Sequence, residues 1–304
     1  MSAGALGLGR PGLSQLRSGA AASLARAIAG NRKALAGLVI LAIFVFMALF
    51  PGLLAHDNPN AEIYQRSAPP STAHLFGTTS YGQDIFSQWV YGTRESLVIA
   101  VVAGGLATLI AVLVGVTAAY RGGLTDGVLS LFTDVFLVIP AFPLVVVIAA
   151  YSKNGGNAIL IAVLVVTGWS YAARQLRSQA LSVRSQDFLA AARTRGERPW
   201  RIIVFEIIPT MTSLIVASFL GAAVYAVLAA AGLQFIGLGN PDAMSWGTML
   251  FWAENNEALQ AGTPLWAVAP GLGIALLGGA LALLNYAFDE IGNPALRPVR
   301  RKRG

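Results

Sequence analysis

The 304-residue chain contains no cysteine. A disulfide framework, a thiolate zinc site, an iron–sulfur cluster and a thiol nucleophile are therefore excluded. Histidine is nearly absent: His56 and His74 stand 18 residues apart, and neither a metal site nor another cofactor is expected from that pair. The three lysines, Lys33, Lys153 and Lys302, each follow Arg or Ser. A phosphate-binding loop places its lysine after a glycine, in G-x-x-x-x-G-K-[ST], so the chain lacks that means of holding ATP. There is no His/Asp/Glu cluster at metal-ligand spacing and no Ser–His motif, which speaks against a membrane enzyme. Charge of either sign is scarce, at 12% of residues, where soluble domains carry about 25%.

Apolar residues are abundant: 56% of the chain is hydrophobic and the mean hydropathy is +0.65. Such a chain cannot cover a water-facing surface, so its class is an all-α polytopic membrane protein. A crossing takes about 20 apolar residues. Six segments qualify: Ala34 to Ala55, Ser96 to Tyr120, Gly127 to Tyr151, Gly155 to Ala173, Ile207 to Leu233, and Leu265 to Phe288. The third is the least regular, since it contains Asp134, Pro140 and Pro143. Prolines are tolerated in spans whose freed carbonyls find other donors.

Basic residues set the orientation. With the N-terminus inside, 18 of 21 Lys and Arg fall on the cytoplasmic side, and only Arg66, Arg94 and Lys153 fall outside. Lys and Arg in short loops favour the cytoplasm. Both termini are thus expected inside, which requires an even number of spans and agrees with six. The net charge of +7 is then explained by topology and anionic lipid rather than by nucleic acid. The expected divisions are a cytoplasmic arm (1–33), a first span (34–55), an extracytoplasmic loop (56–95), a five-span core (96–290) and a basic tail (291–304). The core contains a cytoplasmic loop (174–206) and an external loop (234–264). The arm has no compact apolar core of the kind a cleavable signal needs, and Met1 to about Ala22 reads as a flexible tail. Trp89, Tyr91, Trp246, Trp252 and Trp266 suit either the external loops or an interfacial aromatic belt.

The cytoplasmic loop contains Asp187-Phe188-Leu189-Ala190-Ala191-Ala192-Arg193-Thr194-Arg195-Gly196. Ser185 is the expected N-cap, with Asp187 in the first turn, where an acid suits the helix dipole. Gly196 supplies the left-handed residue that ends the helix. Phe188, Ala191, Ala192 and Arg195 lie at i, i+3, i+4 and i+7 on one face. Pro199 bars continuation and opens a second helix. Small residues beside one aromatic let such a helix seat in a groove and pass on a rigid push. The competing reading is an ordinary basic loop.

This stretch, closed by Pro209, resembles the "EAA" signature of ABC importer permeases. The resemblance extends over nearly the whole chain, to the second permease subunit of the dipeptide/oligopeptide and nickel branch. His74-Leu75-Phe76-Gly77-Thr78 with Gly82-Gln83-Asp84 resembles "HPLGTD..GRD". Tyr91-Gly92-Thr93-Arg94-Glu95-Ser96-Leu97 resembles "YGARvSL". Gly237-Leu238-Gly239 with Ser245-Trp246-Gly247 resembles "GLG…SWG", and Asp134 with Pro140 resembles the acid-and-proline pattern of the third span. The resemblance implies a type I importer transmembrane fold, with Asp187, Phe188, Ala191, Ala192, Arg195, Gly196 and Pro209 serving ATPase coupling. The partners it implies are a homologous second permease, two ABC ATPase subunits and an extracytoplasmic substrate-binding protein.

Two departures stand out. The family's first Glu of "EAA" is Ala190 here, and the C-terminal Asn285 to Arg297 differs from the usual peptide-permease pattern. The second resembles a branch that includes transporters of β-linked oligosaccharides, so short peptides are the expected cargo with oligosaccharides or nickel as alternatives. An ion-coupled secondary transporter is the rival class. It usually needs intramembrane ionisable groups, whereas Asp134 is read here as a structural acid near the inner surface that caps or pairs with Arg121. Gly271, Ala275 and Gly279 recur every fourth residue in the sixth span, a spacing that permits close helix packing.

Overall fold

The computed structural model describes residues 31–151 and 156–292. Most of the N-terminal arm, Lys153 and the basic tail from 293 lie outside the described residues. Among those described, extended pairing is limited to one isolated bridge, Thr78 with Asp84. The rest of the regular structure is helical, and proline and glycine decide where each helix stops.

Helix α1, Arg32–Leu49, starts where the Asn31 side chain accepts from the Lys33 and Ala34 amides. It ends at Phe50, before a single turn at Pro51–Leu54. Helix α2, Ile85–Arg121, has 37 residues and is about 55 Å long. It begins well before Ser96 because Asp84 caps it, accepting from the Ser87 amide at 2.7 Å. The third expected span is two helices, α3 (Gly123–Val138) and α4 (Ala141–Tyr151). Ile139 between them is extended, as the residue before a proline prefers, and Pro140 has no N–H to continue the ladder. The fourth is α5 (Gly156–Gly168) and α6 (Ser170–Arg184), bent by 41° at Trp169.

Helix α7, Asp187–Thr194, follows. A turn at Pro199–Ile202, a π-helical stretch at Ile203–Ile207 and a short turn at Ile208–Thr210 then lead to α8, Thr212–Phe235. The π stretch directly precedes Pro209, whose missing N–H cannot make the ordinary i→i−4 bond. Helices α9 (Trp246–Asn255) and α10 (Leu265–Gly292) complete the order.

Among the described residues, four helices are long and apolar enough to cross a membrane, α1, α2, α8 and α10; the bent α5–α6 pair makes five. The expected sixth crossing corresponds to α3 and α4, which the break at Pro140 leaves below the length of a single span.

Helix α2 is the spine, packed against α1, α6 and α8. Its small residues permit this: a Cβ on Gly104 would lie 2.9 Å from the Ala223 amide, and one on Gly115 would lie 2.4 Å from the Ala173 carbonyl oxygen. Such backbone approaches replace the hydrophobic drive that lipid removes. Trp246 and Trp266 are buried in this core, and the Trp246 indole donates to the Trp89 carbonyl at 3.0 Å. These two rings are therefore core residues, not members of an aromatic belt.

Candidate functional site

Helix α7 is short but sharply two-sided. Leu189 and Ala192 are fully buried in the cluster formed by α2, α6 and the turn at Ile202. Phe188 and Ala191 lie on the exposed side with Asp187 and Arg195. The expected face of Phe188, Ala191, Ala192 and Arg195 is thus divided. Ala192 seats the helix on its own chain, because it lies at i+3 from Leu189, which anchors it. Leu189 was overlooked in the sequence pattern, although its i, i+3 spacing with Ala192 carries the signal.

The helix ends differ in how they form. Ser185 does not cap α7: its hydroxyl donates back to the Ser182 carbonyl at 3.0 Å. Gln186 occupies the N-cap position and Asp187 the first turn. At the other end Gly196 has φ +74°. The Gly196 amide donates to Arg193 O at 2.9 Å and the Glu197 amide to Ala192 O at 3.3 Å, the paired bonds of a Schellman motif. Glu197 accepts from Arg195 at 2.9 and 3.1 Å and holds Arg201 at 3.6 Å, which ties the turn to the next one. Arg193 lies over the Tyr120 ring at 5.4 Å, and Arg184 donates to the Ala119 carbonyl at 3.1 Å. Helix α7 is therefore fixed at the C-terminal end of α2. Trp200 and Phe205, half-exposed or more, extend the apolar surface of this region beyond Phe188. Pro209 is exposed at the approach to α8.

Both acids of α3 are paired. Asp134 faces Arg174 at 3.6 Å, both side chains more than half exposed. Its partner is thus Arg174 of α6 and not Arg121. Arg177 grips Asp126 on the same pair of helices.

Above them lies a cavity of about 670 Å³. The break at Ile139-Pro140 and the bend at Gly168 and Ser170 both border it, as do Ser218 and Tyr225 of α8 and Asn285 and Asp289 of α10. Thr167 and Tyr225 share a hydrogen bond at 3.0 Å, whereas the buried Ser218 hydroxyl has no partner among the described residues. Irregular backbone at membrane depth is tolerated where it lines such a cavity. Pro140 is therefore placed at the cavity wall. Gly271, Ala275 and Gly279 are elsewhere: a Cβ on either glycine meets nothing within 4 Å, and Ala275 is exposed. The stripe faces away from its own bundle.

At the opposite end of α2, the 56–84 loop is internally bonded. His74 Nδ1 lies 3.0 Å from the Asp84 carboxylate, and the Tyr64 ring packs on the imidazole at 4.4 Å. The Asp57 carboxylate beside Tyr64 holds that phenol above its usual pKa.

Residues 108–298 match the family described as "Binding-protein-dependent transport system inner membrane component". Residues 24–70 match the "N-terminal TM domain of oligopeptide transport permease C". The oligopeptide transport system permease protein OppC of Mycobacterium tuberculosis (strain ATCC 25618 / H37Rv) is 31% identical over 274 residues, covering 89% of this chain and 93% of the relative. OppC of Bacillus subtilis (strain 168) is 33% identical over 277 residues, covering 90% and 87%. The dipeptide permease DppC of the same strain is 33% identical over 284 residues, covering 91% and 85%. Components of this kind are transport subunits that work within a system of several subunits. The chain belongs to the family of binding-protein-dependent transport system inner membrane components, and is a multi-pass membrane permease with the all-helical fold of type I ABC importers.

Proposed function

We propose that the chain forms half of the translocation pore of an ATP-driven importer of short peptides. The observation that carries this reading is the two-sided helix α7. It is anchored through Leu189 and Ala192 at the end of α2, and it offers Phe188 outward. A motor that closes on ATP can push such a helix and move the spans beneath it. The chain lacks a phosphate-binding lysine, so hydrolysis belongs to two separate ATPase subunits. A homologous permease completes the cavity between α3, α6, α8 and α10, and the outward small-residue stripe of α10 is available for that contact. An extracytoplasmic binding protein delivers the cargo. The 18-to-3 distribution of basic residues supports cytoplasmic termini and a cytoplasmic α7, with α3–α4 serving as a broken sixth crossing.

The names of the relatives favour peptides over β-linked oligosaccharides or nickel. Reconstitution of this chain with its co-encoded partners tests the machine: uptake into vesicles should require both ATP and the binding protein. Uptake driven by an ion gradient without ATP refutes the importer reading. A deletion strain tests the cargo. It should resist toxic peptide analogues and still grow on cello-oligosaccharides; the reverse pattern makes sugar the cargo.

A further inference from the structure

A second recess, of about 490 Å³, lies at the N-terminal end of α2, some 50 Å along that helix from α7. It is built by two loops far apart in sequence. Ser80 donates to Asn256 at 3.0 Å, and the Trp252 indole donates to the Pro241 carbonyl at 3.1 Å. Gln88 donates to Gln83 at 2.7 Å and to the Pro59 carbonyl at 3.2 Å. These bonds tie the walls of the recess to one another within the chain.

Its lining has a specific chemistry. Tyr81 stands edge-on to both Trp252 and Trp266, with ring centroids 6.2 and 6.4 Å away. Tyr81 and Trp252 remain more than a third exposed. Glu62 and Asp242 add two exposed carboxylates, and neither forms an ion pair among the described residues. No Lys or Arg among the described residues lines the recess. Glu62 also accepts from Gln83 at 3.4 Å. Aromatic rings and two carboxylates without a cationic partner around one hollow attract an organic cation: the ring quadrupole and the negative charge act on the same ligand. A volume in this range suits a small-molecule fragment or one long side chain.

We infer that this recess is a binding site for an alkylammonium or guanidinium group, with Glu62 and Asp242 as its counter-charges. The orientation proposed above puts it on the extracytoplasmic face. The cation then belongs either to a basic side chain of the docked binding protein or to the cargo itself.

The first test needs no transport and so does not depend on the importer reading. Binding of radiolabelled Nα-acetyl-argininamide to the full chain in lipid nanodiscs is compared with that of Nα-acetyl-citrullinamide, its neutral isostere. The arginine derivative should bind saturably and at least tenfold tighter. The double variant Glu62→Gln/Asp242→Asn should lose at least tenfold, and Asp242→Lys should abolish binding by placing a cation in the hollow. Both carboxylates are exposed, so an unchanged unfolding midpoint identifies correctly folded variants. Equal binding of the two amides, or wild-type binding by the folded double variant, overturns the site. Two arms then distinguish the sources in the assembled transporter. If the cation is a partner side chain, the double variant weakens binding-protein affinity at low salt and much less at high salt. If it belongs to the cargo, that affinity is unchanged and uptake of a lysyl dipeptide falls relative to its Nε-acetylated form.

Discussion

Arg177 donates to both oxygens of Asp126, from Nε at 2.6 Å and from Nη2 at 2.7 Å. This bidentate contact fastens the start of α3 to α6, about two turns past the bend at Trp169. It is partly shielded, with side chains 32% and 20% exposed, so it is worth more than an open surface pair and less than a buried one. Arg177→Met should cost about 1–2 kcal/mol and lower the unfolding midpoint in detergent by several degrees. The double variant Asp126→Asn/Arg177→Met should cost less than the two single changes added together. Additive effects would show that the two side chains act independently.

The absence of cysteine permits a clean topology test. Single cysteines at Ser2, Ser80, Ser185 and Gly239 can be challenged with an impermeant thiol reagent on intact cells. Ser80 and Gly239 should label from outside, and Ser2 and Ser185 only after permeabilisation. The 18-to-3 asymmetry of Lys and Arg sets this expectation. Labelling of Ser185→Cys in intact cells reverses the orientation.

Filling the cavity should block passage without dismantling the fold. Ser218 lines it, with a buried hydroxyl that lacks a partner among the described residues. Ser218→Phe adds bulk toward a space of about 670 Å³, so overpacking should be mild, on the order of 1–3 kcal/mol at most. The variant should insert and assemble, keep ATPase activity, and lose most uptake. Wild-type uptake by an assembled Ser218→Phe transporter means that the cargo passes elsewhere.

The long spans were legible because a run of apolar residues reports membrane crossing directly, as in α2, α8 and α10. What the runs could not report was continuity. Ile139-Pro140 reads as a tolerated proline inside a span, yet it splits α3 from α4, because Ile139 turns extended and Pro140 has no N–H to continue the ladder. The bend at Trp169 has no proline at all. It falls between Gly168 and Ser170, small residues of the kind that permit a kink, while α6 packs closely on α2 at Gly115 and Ala173. In the candidate site, the left-handed role of Gly196 was readable from glycine's position alone. The direction faced by Ala192 was not, since Phe188, Leu189, Ala191 and Ala192 are all apolar. Only the shape of the pocket that receives Leu189 decides which side is inner. Asp134 was assigned Arg121 by proximity in sequence, but helix α6 brings Arg174 closer.

The two faces of α7 make opposite predictions. Leu189 is fully buried, so Leu189→Ala should cost about 2–5 kcal/mol and lower the yield of folded protein. Phe188 is exposed, so Phe188→Asp should leave folding and pairing with a second permease intact. A carboxylate on the docking side should nevertheless weaken ATPase attachment or uncouple hydrolysis from uptake. Gly196 separates the backbone effect from the contact effect. No atom lies within 4 Å of a Cβ built there, but its φ of +74° disfavours any other residue. Gly196→Val should therefore cost roughly 1–2 kcal/mol locally by strain alone, opening the Schellman turn and tilting α7 off its seat. Co-purification of the ATPases, and ATPase assays in vesicles with and without binding protein, measure both effects. If Phe188→Asp and Gly196→Val both recover normal ATPase and wild-type uptake, force does not enter through α7.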